Sequence, residues 1–318
     1  MKYGFLILFS LCLASCSSTS VNVQKQFDLE LSFKKVQSTT LLKQRKYSDL
    51  ITLIENLGNN YIQRVGNEMP LFWEIDSVGQ TKIDFEKEIN EFVSTYPNSY
   101  IPYYFRAAYY SGISWQKRGM EFMDKTSKSQ VDGFKYYKSL ALEDINKAIS
   151  INSNLSWLYR EKRLILVGQR GMEKEKADAF DKALALRPES YMLWNDLLHN
   201  STPRWGGSIN LMQSIVNKAQ EFSHQNPKLK ELAAAIQREL GDQAKFSNNL
   251  ILAEKYYKES LLLGDHSWTR YNLANVYFKQ RKNTQACQQI FKGLKLRPTQ
   301  WILSEQAEWC TRNNYVRG

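Results

Sequence analysis

Histidine and cysteine are scarce in this chain, with three and four residues among 318. His199, His224 and His266 lie far apart, and each reads as a surface or helix-capping residue rather than a catalytic base. No CxxC pair and no Cys/His cluster occurs, so zinc and redox motifs are excluded and no metal or cofactor is expected. No GxSxG, HExxH or glycine-rich phosphate loop is found, and nothing points to an enzyme. Proline (7) and glycine (15) are few, which leaves room for long helices joined by short loops. Strand-type alternation of apolar and polar residues is also missing. Beyond residue 13, no apolar run approaches the roughly 20 residues that a membrane-spanning helix needs.

What the chain does have begins at its first residues. Lys2 precedes an apolar run over residues 5–13, too short to span a bilayer, and Leu13-Ala14-Ser15-Cys16 follows. This ending resembles the lipobox of bacterial lipoproteins. The resemblance implies diacylglyceryl attachment to the Cys16 thiol, cleavage before Cys16 and acylation of the new terminus. An ordinary signal peptide cut near residues 17–20 is the alternative. Ser17, in place of Asp, implies by the same resemblance sorting to an outer membrane. The expected location is therefore the bacterial cell envelope, lipid-anchored and facing the periplasm. Residues 1–15 are the expected signal peptide, and the Ser-rich residues 16–26 the lipidated tether.

Hydrophobic residues make up 43% of the chain and aromatics 13%, enough for a large core. Lys and Arg exceed Asp and Glu by 11, but the positive charges are scattered rather than massed. Apolar residues recur at helical spacing, as in Leu50, Leu53, Ile54 and Leu57. The C-terminal half repeats with a period of 33 residues. Gly241, Ala244, Ala253, Tyr257, Ser260 and Asp265 recur as Ala274, Tyr277, Ala286, Ile290, Gly293 and Pro298. Earlier, Ile145, Ala148 and Ser153 recur 35 residues on as Phe180, Ala183 and Pro188. Small residues at fixed positions let helices cross closely while large neighbours fill the adjoining holes. A period near 34 is that of a helix–turn–helix array. At these residues the chain resembles the tetratricopeptide-repeat family, most strongly over residues 267–300. The family's early Trp position is Arg270 here, and the unit at residues 234–265 has Asp265 in place of the terminal proline. The expected fold is an all-α, tetratricopeptide-like solenoid of antiparallel helix pairs. Residues 27–134 form a degenerate helical-hairpin region, and residues 135–318 the repeats with a C-terminal helix.

A second pattern joins two distant stretches. Arg106-Ala107-Ala108-Tyr109-Tyr110, with Trp115 and Arg118-Gly119, is followed much later by Pro203-Arg204-Trp205-Gly206-Gly207-Ser208. The pair resembles a bacterial family of unknown function whose members also carry tetratricopeptide-like repeats. Pro203 stops a helix, the two glycines form a tight joint and Ser208 caps the next helix. Arg204 and Trp205 are left with chemistry to offer. Trp205 either plugs the joint or offers a partner contact, a role in which Trp and Arg are over-represented. The rings of Tyr103, Tyr104, Phe105, Tyr109, Tyr110 and Trp115 read mainly as core.

In tetratricopeptide arrays the first helix of each pair lines a concave groove. The resemblance places Arg238, Asp242 and Lys245 there from one unit, and Tyr271, Asn275 and Lys279 from the next. Asn and Lys at such positions resemble part of a clamp for a peptide's terminal carboxylate; a solvated helix face explains the same residues. Cys287 lies 11 residues before Pro298, and Cys310 lies 11 after Thr299. In an antiparallel hairpin turning there, the two stand at equal height. Helix phase, which spacing leaves unset, decides between a disulfide and two separately buried thiols. The reading that follows is a membrane-anchored envelope scaffold that binds a protein or peptide in this groove, with no nucleic acid expected. The competing classes are an enzyme, or its accessory module, acting on cell-wall or glycan substrates, and a binder of anionic polymer.

Overall fold

The computed structural model describes residues 36–66, 68–80, 84–119, 121, 125–297 and 301–315. The signal peptide, Cys16 and the tether lie outside the described residues, as does the turn at Pro298 and Thr299. Residues 36–318 group as one compact unit. Among the described residues there are fifteen α-helices and no strands. In chain order they are α1 (Ser38–Lys43), α2 (Tyr47–Gln63), α3 (Met69–Gln80), α4 (Glu86–Thr95) and α5 (Tyr100–Arg118). Next come α6 (Lys128–Ile151), α7 (Ser156–Leu166), α8 (Glu173–Leu186), α9 (Tyr191–Asn200) and α10 (Ile209–Gln220). The last five are α11 (Ala234–Phe246), α12 (Leu250–Leu263), α13 (Ser267–Lys279), α14 (Asn283–Leu296) and α15 (Trp301–Arg312). Helices α5/α6, α7/α8, α11/α12 and α13/α14 pack as consecutive pairs, with α6 against α7, α12 against α13, α14 against α15, and α9 and α10 between α8 and α11. This is the expected all-α stack. The expected boundary between residues 134 and 135 falls inside α6.

Local chemistry sets the helix starts. Ser99, Ser190 and Ser208 each accept a backbone N–H of the following turn, and Ser127 forms a full capping box with Gln130. The 33-residue period becomes geometry. The start and end of α11 and α12 recur 33 residues later in α13 and α14. So does the joint inside each pair. Asn248, Arg281 and Asn314 all have positive φ, and the residue after each donates its N–H to the carbonyl five back. This left-handed turn closes the first helix of a pair. Asn314 therefore marks α15 as the first helix of a further repeat. Arg45, between α1 and α2, makes the same turn, so the N-terminal region uses the repeat's joint too.

Small residues permit the close crossings. A Cβ on Gly112 would collide with the backbone of Gly79, which brings α5 onto α3. A Cβ on Gly241 would stand 2.7 Å from the Tyr257 ring, so small and large repeat positions interlock. At the C-terminal end Cys287 and Cys310 form a disulfide with Cα atoms 5.7 Å apart, fastening α15 to α14. Trp309 stacks on Tyr315 and edges onto Phe278 beside it.

The early helices also grip the later ones. The Glu68 carboxylate accepts from Ser190 Oγ and from the backbone N–H groups of Tyr191 and Met192, at the start of α9. Arg187 donates to the Ile62 carbonyl and lies over the Tyr61 ring. Asp76 of α3 stands 3.6 Å from Arg160 of α7 and 3.8 Å from Arg297, just beyond α14.

A left-handed residue other than glycine or asparagine is strained by roughly 1–2 kcal/mol. Arg281→Gly should therefore stabilise the chain by up to about 1 kcal/mol, since glycine's greater unfolded-state freedom offsets part of the relief. Thermal melting of the purified variant measures this; a lower melting temperature would contradict the repeat-turn geometry.

Candidate functional site

Helix α11 presents Arg238, Asp242 and Lys245 at i, i+4 and i+7, one stripe along one face. Asp242 accepts from Tyr257 Oη at 2.5 Å and from Asn272 Nδ2 at 3.0 Å. Lys245 Nζ donates to Asn272 Oδ1 at 2.8 Å and lies 3.6 Å from Asp242. The buried Asn272 thus joins α11 to α13. Gln306 of α15 donates to Asn275 Oδ1 at 3.1 Å, which continues the face across a third helix. Burial lowers the Lys245 amine below the usual lysine range; Asp242 opposes this, and the like charges of Lys279 and Arg204 add to it. Lys279 is exposed at the end of α13. Arg204 and Lys279, from two other segments, therefore each lie within electrostatic reach of Lys245.

The Pro203–Trp205 segment forms a short 3₁₀ turn closed by Gly206 in the left-handed region at φ +86°. A Cβ on Gly207 would collide with the Ser201 carbonyl. Gly207, not Trp205, makes the tight contact in this joint. Trp205 stays 39% exposed and meets Trp115 edge-on at 6.1 Å. The Trp115 ring also carries the Lys138 amine at 5.0 Å and the Arg118 guanidinium at 5.7 Å. The stretch holding Trp115 and the Pro203–Ser208 joint, distant in sequence, are thus joined here, ring to ring. Arg106, from the same stretch, makes a bidentate pair with Asp144 that ties α5 to α6. Tyr104, Phe105, Tyr109 and Tyr110 are core, as the sequence indicates.

Between this joint and α11 lies an open cleft of about 490 Å³. Pro203, Ile209 and Phe246 give it apolar walls, Arg204 lines it from the joint, and Glu239, Asp242 and Gln243 line it from α11. Asp242 belongs to both the cleft and the charged face. The motif and the groove, read separately in sequence, are one continuous site.

The remaining expected residues are placed apart from the cleft. Arg238, one residue before Glu239, is buried and lines a separate crevice with Tyr191, Glu231 and His266. Tyr271 packs its ring on Trp268 at 4.9 Å. His266 caps α13 by accepting from Trp268 N, and His224 contacts the Glu221 carbonyl. His199 is exposed at the end of α9. Sequence reasoning missed Asn272, Gln306 and Glu239. Asn272 lies one position beyond Tyr271 and three before Asn275, and helix phase separates a buried bridging amide from an outward one.

A buried polar group lies around Arg160 of α7. Arg160 reaches Asp196 at 2.5 Å as well as Asp76, and its guanidinium sits 4.2 Å from the Phe72 centroid. Burial pushes the neighbouring Glu161 up to about 7 and the Lys138 amine down to about 7. Among the described residues, no group of three His, Cys, Asp or Glu side chains is placed to hold a metal ion.

No family model and no curated protein matches this sequence. Among solved structures, the crystal structure of YrrB, a tetratricopeptide-repeat protein with an unusual peptide-binding site, aligns at 16% identity. The alignment covers 69% of this chain and 97% of that one, with a TM-score of 0.30. A score that low carries no argument, and the fold rests on the pairing and periodicity of this chain's own helices. Those define an all-α helical-repeat protein of tetratricopeptide-like type.

The joint yields a paired prediction. Trp205→Ala should cost only about 1 kcal/mol, the scale of one exposed-edge aromatic pair. Gly207→Ala should cost more, because the new methyl displaces the Ser201 carbonyl. Chemical denaturation of both variants tests the ranking; a larger loss from Trp205→Ala would place the tight packing at the indole instead.

Proposed function

We propose that this chain is a lipid-anchored scaffold of a bacterial envelope that holds an extended acidic segment of a partner protein. The segment would lie along the face of α11, α13 and α15 and reach the cleft beside Arg204. The observation that carries this reading is that two exposed cations from other segments, Arg204 and Lys279, both act on Lys245. Among the described residues, neither Arg204 nor Lys279 has a carboxylate within 4 Å, while Lys245 is tied down by Asn272 and Asp242. Exposed cations without counter-charges, set beside a row of amides, suit backbone carbonyls and carboxylates of a bound peptide. The lipobox resemblance at Cys16 supplies the anchor and the envelope location.

Two experiments test the two halves. Lys279→Glu combined with Arg204→Glu should lower affinity for an acidic partner segment by at least about tenfold and slow its association, without changing the melting temperature. Unaltered capture of partners by that double variant would remove the groove. For the anchor, Cys16→Ser should abolish incorporation of labelled fatty acid and release the protein from the membrane fraction. Retained label on that variant would remove the lipobox reading.

A further inference from the structure

Glu239 is a carboxylate in the wrong surroundings for its charge. It is 7% exposed, and its one hydrogen bond among the described residues is from the neutral amide of Gln243, to Oε1 at 3.1 Å. No basic side chain among the described residues stands within ion-pair distance of it. Burial pushes its carboxyl up, and the neighbouring Asp242 pushes in the same direction. The other carboxylate of the cleft differs. Asp242 has Tyr257, Asn272 and Lys245 around it, so its charge is answered within the fold.

Arg204 and Arg238 act on Glu239 only through space, offsetting part of the upward push without forming an ion pair. The Arg204 guanidinium lies 5.7 Å from the centroid of its neighbour Trp205, on the joint side of the cleft. Pro203 and Ile209 line the opposite wall of the cleft, and Phe246, two turns along α11 from Glu239 and 72% exposed, adds a third apolar surface. A phenyl ring so exposed at the mouth of a cleft, with a carboxylate short of partners at its floor, has a shape with one chemical complement. That complement is a long alkyl chain ending in a cation.

We propose that this cleft is a slot for a basic side chain, Arg or Lys, of the bound segment. The methylenes lie against Phe246, Ile209 and Pro203, and the charged head meets Glu239. A buried carboxylate gains more from a charge-assisted hydrogen bond than an exposed one, because water competes less there. The partner segment is then mixed in charge, with acidic residues for Arg204 and Lys279 and one basic residue for the slot. This inference rests on the peptide-scaffold reading above and adds a sequence requirement to it.

The test uses the full chain and two blocked acidic nonapeptides, identical except for a central arginine or its neutral isostere citrulline. Calorimetry should show the arginine peptide binding at least about tenfold tighter, the scale of one charge-assisted contact. Glu239→Gln keeps the side-chain shape and should erase that preference while leaving the far-UV spectrum and melting temperature unchanged. Phe246→Ala should weaken the arginine peptide, and its exposure means the fold tolerates the change. Equal affinity for the two peptides, a preference that survives Glu239→Gln, or no binding of either peptide would each overturn the slot. A photoreactive phenylalanine analogue at position 271 separates the two claims. If it still crosslinks a partner while the slot test fails, the scaffold stands without the slot. If crosslinking fails too, both fall.

Discussion

Each helix of this protein has one apolar face, and no pair of helices can cover both of its own. That constraint organises the rest. A pair buries its faces only by packing on the pair before and the pair after, so stability accumulates along the stack. The crossings must be close, and small residues make them so. Gly112 meets the backbone of Gly79, Gly241 meets the Tyr257 ring, and Ala253, Ala274 and Ala286 are sealed in the core. The last described helix, α15, is fastened covalently to α14 through Cys287 and Cys310, and Trp309 stacks on Tyr315 beside the bond.

A second principle operates in the interior. Arg160 is buried between Asp76 and Asp196, which come from helices far apart in sequence. A buried ion pair of this kind contributes little net stability against an apolar replacement, yet removing one partner strands the other charge. Such groups are poor glue and strict locators. Asp76 also reaches Arg297, and Glu68 caps the start of α9 from outside that helix. The N-terminal helices are thereby set against the repeats at defined points.

The functional surface follows from this placement. A repeat stack brings equivalent helix positions side by side, so Asp242, Lys245, Asn272, Asn275 and Gln306 become one bridged row. The bridges Lys245–Asn272 and Gln306–Asn275 hold adjacent first helices together. The outer charges, Arg204 and Lys279, have no ion-pair partner among the described residues. The polar face is thus divided into groups that hold the stack and groups that remain available to a ligand.

Much of this was legible in the residues. Apolar spacing and scarce glycine and proline specify helices, because helix formation is a local matter of periodicity and caps. The 33-residue recurrence specifies paired helices, because the same crossing needs the same small residues each time. Equal spacing about a turn brought Cys287 and Cys310 to one height. What only the tertiary structure decided is helix phase and long-range adjacency. Phase turned Asn272 inward to Lys245 and gave Asn275 to Gln306. It also faced the two cysteines toward each other and left Trp205 at the surface while Gly207 took the tight contact. Adjacency set Trp115 against Trp205 and opened a cleft between the joint and α11, where Glu239 has no ion-pair partner among the described residues. The physical reason is one of scale. A rotation of about 100° per residue decides which face a side chain joins, and that rotation is fixed by neighbours distant in the chain.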